Sequence, residues 1–598
     1  MNLGPLSYLQ AILIGTASDL WTACILSFTA LGVMFLIKHL PNAKIYSFLR
    51  VTLIVLSLSL LSSHYSYVKF FHTPFVAMHL AYIQDIIFLK SNYTAVIEPM
   101  VFISFAVFLF NVKLSHHLAS RVNKKKTILI SIFFIGSLGH IFHNRYKVQW
   151  HIPSTLQFNL LEHFYTSLRQ QKIPQKLSTS EIRQLQAQFG IPMEEGSYKK
   201  NLQSIVLPKP NLAKELEQRM EASIKLEVDK LRRTQTKPII ITILMESFRA
   251  FDIGSPQNPK ESYTPHFDQL SRSGILFKNA WSTGTVTRAG QEAVWCGYLS
   301  SMNHSTMREH PEIRLTCLPK KISNGHVFWY HGGDGRFDNQ LNFWQRQGVS
   351  DVMSLVDFPK STAKTGWGVG DRSFLLSAGN KIHEISLHNS KEFLFGMLLT
   401  VTNHIPWDLP SDAPAEVKNY NFRNIHPSEK TILYTDHALA EFVNLLKSKS
   451  LWDQTLLIVL GDHGIMAPIM NKEFNEDVSR EKQASKIACL FSGGITERIS
   501  SQQHPSKRIR EEHISQVDIA SFLAYLLDIP DFPSMGNYFF NSHRIRPIVS
   551  DLGDRIYFPE TNKIIPYKDI LSKNTSEGDI LYYRSFLNLI TEWNTKKG

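Results

Sequence analysis

Pro238-Ile239-Ile240-Ile241-Thr242-Ile243-Leu244-Met245 runs straight into Glu246-Ser247, and Thr455-Leu456-Leu457-Ile458-Val459-Leu460 runs straight into Gly461-Asp462-His463-Gly464. Neither run alternates apolar with polar residues, which is the pattern of a parallel strand buried on both faces. His326–Tyr330, Leu394–Thr400 and Ile487–Phe491 share that texture. Helical stretches alternate with these runs, among them Pro265–Ser273, Asp436–Lys447 and Ile514–Leu527. Strand–helix alternation predicts an α/β doubly wound sheet, with its chemistry at the carboxyl ends of the strands.

Two of those ends carry ionisable side chains. Glu246 at one, with Asp462 and His463 at the other, supplies oxygen and nitrogen ligands suited to a divalent cation. Singly, Glu246 reads equally well as a helix cap and Asp462 as a turn former; together they favour a metal centre. Between them lies Ser282-Thr283-Gly284-Thr285-Val286-Thr287-Arg288-Ala289-Gly290-Gln291-Glu292-Ala293. A hydroxyl held beside a cation is activated to attack phosphorus, which splits one hard displacement into two. On the residues alone, Thr283, Thr285 and Thr287 are equal candidates.

The rest of the chain frames this unit. The 598 residues carry 64 Lys+Arg against 51 Asp+Glu, a net charge of +13, and only four Cys, which excludes a disulfide scaffold. The mean hydropathy of −0.12 averages two unlike parts, because Met1 to about Asn144 is strongly apolar. Trp21–Ile37, Tyr46–Ser63, Ala95–Val112 and Thr127–Phe142 approach the ~20 residues that a span needs, and the shorter Leu3–Ser18 makes five expected spans. The later spans exclude a simple cleavable signal peptide. Lys38, Lys44 and Arg50, and then Lys113, Arg121 and Lys124 to Lys126, place two connections in the cytoplasm. His64–Tyr93, with only Lys69 and Lys90, then stays outside, and so does everything after about Asn144. The basic residues are dispersed with no recognition motif, so nucleic acid is not an expected partner; anionic lipid is. Polar, helix-forming sequence up to Thr236, including Ala213–Arg233, reads as a linker. The expected organisation is a transmembrane domain at 1–144, a helical linker at 145–236 and a catalytic domain at 237–598.

Taken in order, Met245-Glu246-Ser247-Phe248, Gly284-Thr285-Val286-Thr287-Arg288 with Glu292-Ala293, Tyr330-His331-Gly332-Gly333-Asp334 with Phe337-Asp338-Asn339, Trp367-Gly368-Val369-Gly370-Asp371, Thr402-Asn403-His404, Tyr434-Thr435-Asp436-His437-Ala438 and Gly461-Asp462-His463-Gly464 form a set. That set resembles the lipoteichoic acid synthase and phosphoglycerol transferase group of the alkaline phosphatase/sulfatase superfamily. The resemblance extends to five N-terminal spans and an extracytoplasmic, sulfatase-like catalytic domain. It implies Glu246, Asp462 and His463 as metal ligands, and Thr287 as the nucleophile that also touches the metal. It further implies transfer of phosphoglycerol from phosphatidylglycerol through a phospho-threonine to an envelope glycan, polymer or lipid, at a bacterial plasma membrane. The implied cofactor is one divalent ion, Mn²⁺ first, with Zn²⁺ and Mg²⁺ as alternatives. His331 and His404 fall where the group contacts substrate. Asp338 stands where lipoteichoic acid synthases carry tryptophan, whereas Phe-Asp-Asn is more like the glucan-modifying transferases. Arg288 is expected to pair with phosphate or with Glu292.

The resemblance also implies a disulfide between Cys296 and Cys317, in a region where members of the group carry cysteines; Cys24 and Cys489 are expected to be free. Cys317-Leu318-Pro319-Lys320-Lys321 ends in Lys where the sulfatase formylglycine signature has Arg, and it lies downstream of the Thr287 loop, which argues against sulfatase activity. Phosphoethanolamine transfer is the alternative chemistry, since Glu246-Ser247-Phe248-Arg249-Ala250 is similar to that sister group. A catalytically inactive lipid-binding regulator is the non-enzymatic alternative.

Overall fold

The computed structural model describes residues 220–254, 262–299, 306–309, 317–388, 391–419, 426–465, 479–502, 508–529, 532, 534–536, 548–549, 555–559 and 562–566. The five expected spans, the linker up to residue 219 and Cys24 lie outside the described residues. Among the described residues no helix is long and apolar enough to cross a membrane.

Short helical turns aside, in chain order the elements are α1 (Met220–Arg233), β1 (Ile239–Met245), α2 (Pro265–Ser273), β2 (Ile275–Trp281), α3 (Thr287–Cys296), β3 (Gly325–His331), α4 (Gln340–Arg346) and β4 (Asp351–Met353). They continue with α5 (Asp371–His388), β5 (Phe393–Leu399), α6 (Pro427–Ser448), β6 (Thr455–Gly461), β7 (Lys486–Ile487), β8 (Cys489–Ser492), α7 (Gly494–Ser501), β9 (Ile509–Ser515) and α8 (Gln516–Leu526). A separate antiparallel sheet holds β10 (Ile548–Val549), β11 (Arg555–Phe558) and β12 (Lys563–Pro566).

The main sheet has nine strands in the order β4-β3-β5-β1-β6-β8-β2-β7, with β9 on β2. From β4 to β6 the strands are parallel. Successive side chains of β1 enter opposite cores. Ile240 and Leu244 pack with Ala293 and Val294 of α3 and Phe522 of α8, whereas Ile239, Ile241 and Ile243 pack with Phe374 of α5 and Phe442 of α6. This two-sided burial is why the strands read as unbroken apolar runs.

The parallel reading fails at Ile487–Phe491. That run splits into β7 and β8, and β8 lies antiparallel to both β6 and β2. An unbroken apolar run reports burial on both faces and carries no information about direction. The strand β2 (ILFKNAW) is apolar but interrupted by Lys278-Asn279, and β9 (IREEHIS) is mostly polar, so neither shows the unbroken apolar run that marks the other strands.

The helices follow local capping chemistry. Expected and observed bounds coincide for α2, which has Pro265 in its first turn; its opening amides of His266 and Phe267 donate to the Asp436 carboxylate at 2.9 and 2.8 Å. The helix read as Asp436–Lys447 begins earlier, at Pro427, where Glu429 accepts from the His426 amide. A disulfide joins Cys296 to Cys317, as expected, and Cys489 is a buried free thiol. Closing 21 residues of chain stabilises the fold by roughly 3 kcal/mol in the chain-entropy account.

Candidate active site

Because β1 and β6 are parallel neighbours with Met245 beside Gly461, the residues that follow them emerge together. Glu246, Asp462 and His463 present ligand atoms that all lie within 4.8 Å of one another, and all three residues are buried. One oxygen of Asp462, Oδ1, accepts from the amides of Ser247 (2.8 Å) and His463 (2.7 Å). The other, Oδ2, is buried and accepts no hydrogen bond; His463 Nε2 lies 3.6 Å away. His463 Nδ1 donates to the Gly464 carbonyl at 2.7 Å, which turns Nε2 toward both carboxylates. Burial raises the pKa of Glu246, and burial followed by the charge of Glu246 pushes Asp462 up to about 7. Two buried acids, one with an orphaned oxygen, opposite an imidazole nitrogen form a donor set that fits a divalent cation.

Of the three candidate threonines, only Thr287 reaches this group. It is the first residue of α3, and its Oγ1 donates to Glu246 Oε2 at 3.3 Å and lies 3.5 Å from His463 Nε2. Thr283 is fully buried and its amide bonds to Gln516; Thr285 Oγ1 is buried with no partner. The start of a helix also favours an anionic group there. Gly290 lets α3 approach: a Cβ at this position would sit 2.5 Å from the Asp462 carbonyl oxygen.

The other expected residues line the same edge of the sheet. His331 ends β3, buried, with Nδ1 3.3 Å from the Leu399 carbonyl, and burial lowers its pKa to about 4. His404 follows β5; its Nδ1 donates to the Ile405 carbonyl at 2.8 Å and its ring lies against Trp367, with centroids 3.7 Å apart and planes tilted by 36°. Burial lowers the pKa of His404 to about 4 as well, so the ring is neutral at pH 7, with Nε2 as a proton acceptor. The charge of Arg288 acts on Glu292, the protein partner expected for it, and the guanidinium also reaches a second carboxylate. Its Nη1 donates to Asp338 Oδ2 at 3.2 Å, whereas Glu292 accepts from the Met307 amide at 2.8 Å. Asp338 adopts a left-handed backbone, φ 52°, which swings its carboxylate under Arg288.

The sulfatase family model matches residues 238–529. Those residues are a sulfatase-family domain. A curated relative, lipoteichoic acid synthase from Staphylococcus aureus, is 25% identical over 303 residues, which is 49% of this chain and 46% of that protein; this chain thus spans about half the length of the curated relatives it matches. Solved structures that it resembles include the lipoteichoic acid synthase LtaP from Listeria monocytogenes (18% identity, TM-score 0.49, 66% of this chain and 97% of that one). Another is an alkaline phosphatase superfamily protein from Vibrio parahaemolyticus (18% identity, TM-score 0.47, 63% of this chain and 96% of that one).

Within the sulfatase-family domain, several supporting residues had no role in the sequence reading. Ser247, held at φ 53°, gives its hydroxyl to Glu246 Oε1 at 2.7 Å and its amide to Asp462 Oδ1, so one strained residue orients both acids. Asn403 donates to the Glu246 carbonyl at 3.2 Å and accepts from Thr431 at 2.7 Å. Asp371 accepts from the amides of Val401 and Thr402, fixing the turn before His404. Gln291 Oε1 receives both indole N–H groups of Trp329 (3.0 Å) and Trp344 (2.9 Å), anchoring the middle of α3. Ser247 and Asn403 belong to motifs already legible in the chain, but their hydrogen-bonding duties follow only from the strands that meet there.

Proposed function

We propose that the protein is a membrane-bound, cation-dependent transferase. In this reading it moves phosphoglycerol from phosphatidylglycerol to a cell-envelope glycan, polymer or lipid through phospho-Thr287. The chain would be arranged as spans, linker and extracytoplasmic catalytic domain. The observation that carries the reading is the Thr287 hydroxyl at the start of α3, within 3.5 Å of both Glu246 Oε2 and His463 Nε2. The motif set and the likeness to lipoteichoic acid synthase favour phosphoglycerol as the group moved.

Glu246, Asp462 and His463 would hold the cation, Mn²⁺ in the first instance. When bound, such an ion supplies positive charge that eases hydroxyl deprotonation and offsets charge on the phosphoryl oxygens. Thr287 Oγ1 attacks phosphorus, the bond from phosphorus to the diacylglycerol oxygen breaks, and the threonine proton leaves with diacylglycerol. In the return step an acceptor hydroxyl attacks phosphorus, the Oγ1–phosphorus bond breaks, and the acceptor proton returns to Thr287. Neutral His404, whose Nδ1 is committed to Ile405, offers Nε2 to relay that proton. The N-terminus of α3 faces the incoming phosphate.

Incubating the full-length chain in detergent with Mn²⁺ and either head-group-labelled phosphatidylglycerol or labelled phosphatidylethanolamine tests the reading. A phosphoglycerol increment on the Thr287 peptide is expected. An adduct from the ethanolamine lipid alone would reassign the donor, and no adduct from either lipid would remove the covalent mechanism.

A further inference from the structure

The segment that leads into Thr287 and the turn that carries Asp462 and His463 are separate, and one buried side chain bonds to both. Gln516, the first residue of α8, is fully buried. Its Nε2 donates to the carbonyls of Gly461 at 3.0 Å and Asp462 at 2.7 Å, and its Oε1 accepts from the Thr283 amide at 3.1 Å. These contacts use both hydrogens of the carboxamide as well as its oxygen. The backbone behind the side chain is itself held, because the Ser515 amide donates to Asp518 Oδ2 at 2.7 Å.

We propose that Gln516 is a positioning residue for the transfer reaction: its carboxamide locks the Thr283 loop, and with it Thr287, to the turn that carries Asp462 and His463. This rests on the reading of that site as a cation-dependent transferase. Thr283 lies four residues before Thr287, and Gly290 rests on the same Asp462 carbonyl that Gln516 holds, so the carboxamide and the glycine contact fix α3 against the ligand turn at two points. A residue of Gln516's size without its polar atoms would leave a buried amide and two carbonyls short of partners. The two loops would then be free to separate by tenths of an ångström, which is enough to spoil an attack trajectory. Nothing in the sequence marks Gln516, because its partners are backbone atoms more than 50 positions away.

Gln516→Leu, Gln516→Glu and the control Ser521→Ala, all in the full-length chain, test this. Ser521 lies on the same helix, buried, with its hydroxyl on Ser534 at 2.7 Å and no contact with the site. In Gln516→Leu, Mn²⁺ binding followed by calorimetry is expected to weaken about tenfold, in line with the loss of a partner that orients a ligand. Formation of phospho-Thr287 from labelled phosphatidylglycerol is expected to slow at least about tenfold while KM for the lipid stays within about twofold. Ser521→Ala, although destabilised, is expected to leave both unchanged. Gln516→Glu keeps the acceptor for Thr283 but turns a carboxylate on two carbonyls, so it should lose as much; it is the variant to read if Gln516→Leu does not fold. Unchanged Mn²⁺ affinity and rate in the folded Gln516 variant, or equal losses in Ser521→Ala, overturn the proposal. The Mn²⁺ titration needs no donor, so a wild-type chain that binds Mn²⁺ yet takes no label defeats the transfer reading while the cation affinities still decide the role of Gln516.

Discussion

The Thr287 hydroxyl donates to the Glu246 carboxylate, whose pKa burial raises, and lies beside His463, so its reactivity depends on the company it keeps rather than on anything intrinsic to threonine. Thr287→Ala should abolish the phospho-adduct and slow turnover by at least about 10³-fold. Thr287→Ser, which keeps the oxygen, should retain the adduct. Peptide mass spectrometry and label transfer read both, and an adduct surviving in Thr287→Ala would move the nucleophile elsewhere. At this scale the chain was partly legible. Glu246, Asp462 and His463 stand at the ends of apolar runs and announce themselves, but Thr283, Thr285 and Thr287 look alike until α3 selects the third. The Arg288–Asp338 pair was hidden, since it depends on a left-handed backbone at Asp338, 50 positions away.

Among the elements, α3 is held along its whole length. Gly290 sits on the Asp462 carbonyl, Gln291 gathers two tryptophans, and Gly297, at φ 74°, closes the helix beside the Cys296–Cys317 bridge. Gly290→Ala sets two effects against each other. The alanine improves helix propensity by about 1 kcal/mol, yet its Cβ needs space that the Asp462 backbone occupies at 2.5 Å. The clash is with backbone, so α3 must move. The expected result is a kcat at least about tenfold lower, checked by single-turnover labelling; wild-type kcat would show that α3 has slack. At the far edge, Asp351 at the start of β4 accepts from His326 (2.9 Å), Tyr330 (2.7 Å) and Lys381. Burial works to raise its pKa, but these donors outweigh it and the carboxyl ends below its ordinary value. Its stabilising effect is therefore present at and above the unfolded-state pKa and is lost as pH falls through the lower folded value. Asp351→Asn should cost about 1–3 kcal/mol at pH 7, with the gap to wild type closing only below about pH 4. Urea unfolding across that range checks it, and a gap that is constant with pH would deny the charge any part. Elements with strong local signals, such as α2 with its opening proline, were legible to the residue, whereas β9, with IREEHIS, joins the sheet only because β2 is there to receive it.

For the whole molecule, the parallel half of the sheet delivers the candidate metal ligands and both candidate histidines to one edge: Glu246 from β1, His331 from β3, His404 after β5, and Asp462 with His463 from β6. That convergence was legible because buried parallel strands advertise both themselves and their ends; the antiparallel β8 was not, because burial has no direction. Convergence also has an energetic cost. Two acids are buried side by side, and the charge of Glu246 is one reason that Asp462 is pushed up to about 7. A cation that binds the folded chain and not the unfolded one offsets this cost by mass action, by about 2.7 kcal/mol at a hundred times its Kd. Adding Mn²⁺ to chelator-treated wild type should thus raise the melting temperature by several degrees, with a shift that grows with concentration. The double variant Glu246→Gln, Asp462→Asn reverses the expectation: with the repulsion gone, it should melt above chelator-treated wild type and no longer respond to Mn²⁺. Calorimetry of the two proteins, each with and without the ion, separates the terms. A wild type indifferent to Mn²⁺, or a double variant that still responds, would mean that these strand ends converge for some purpose other than holding a cation.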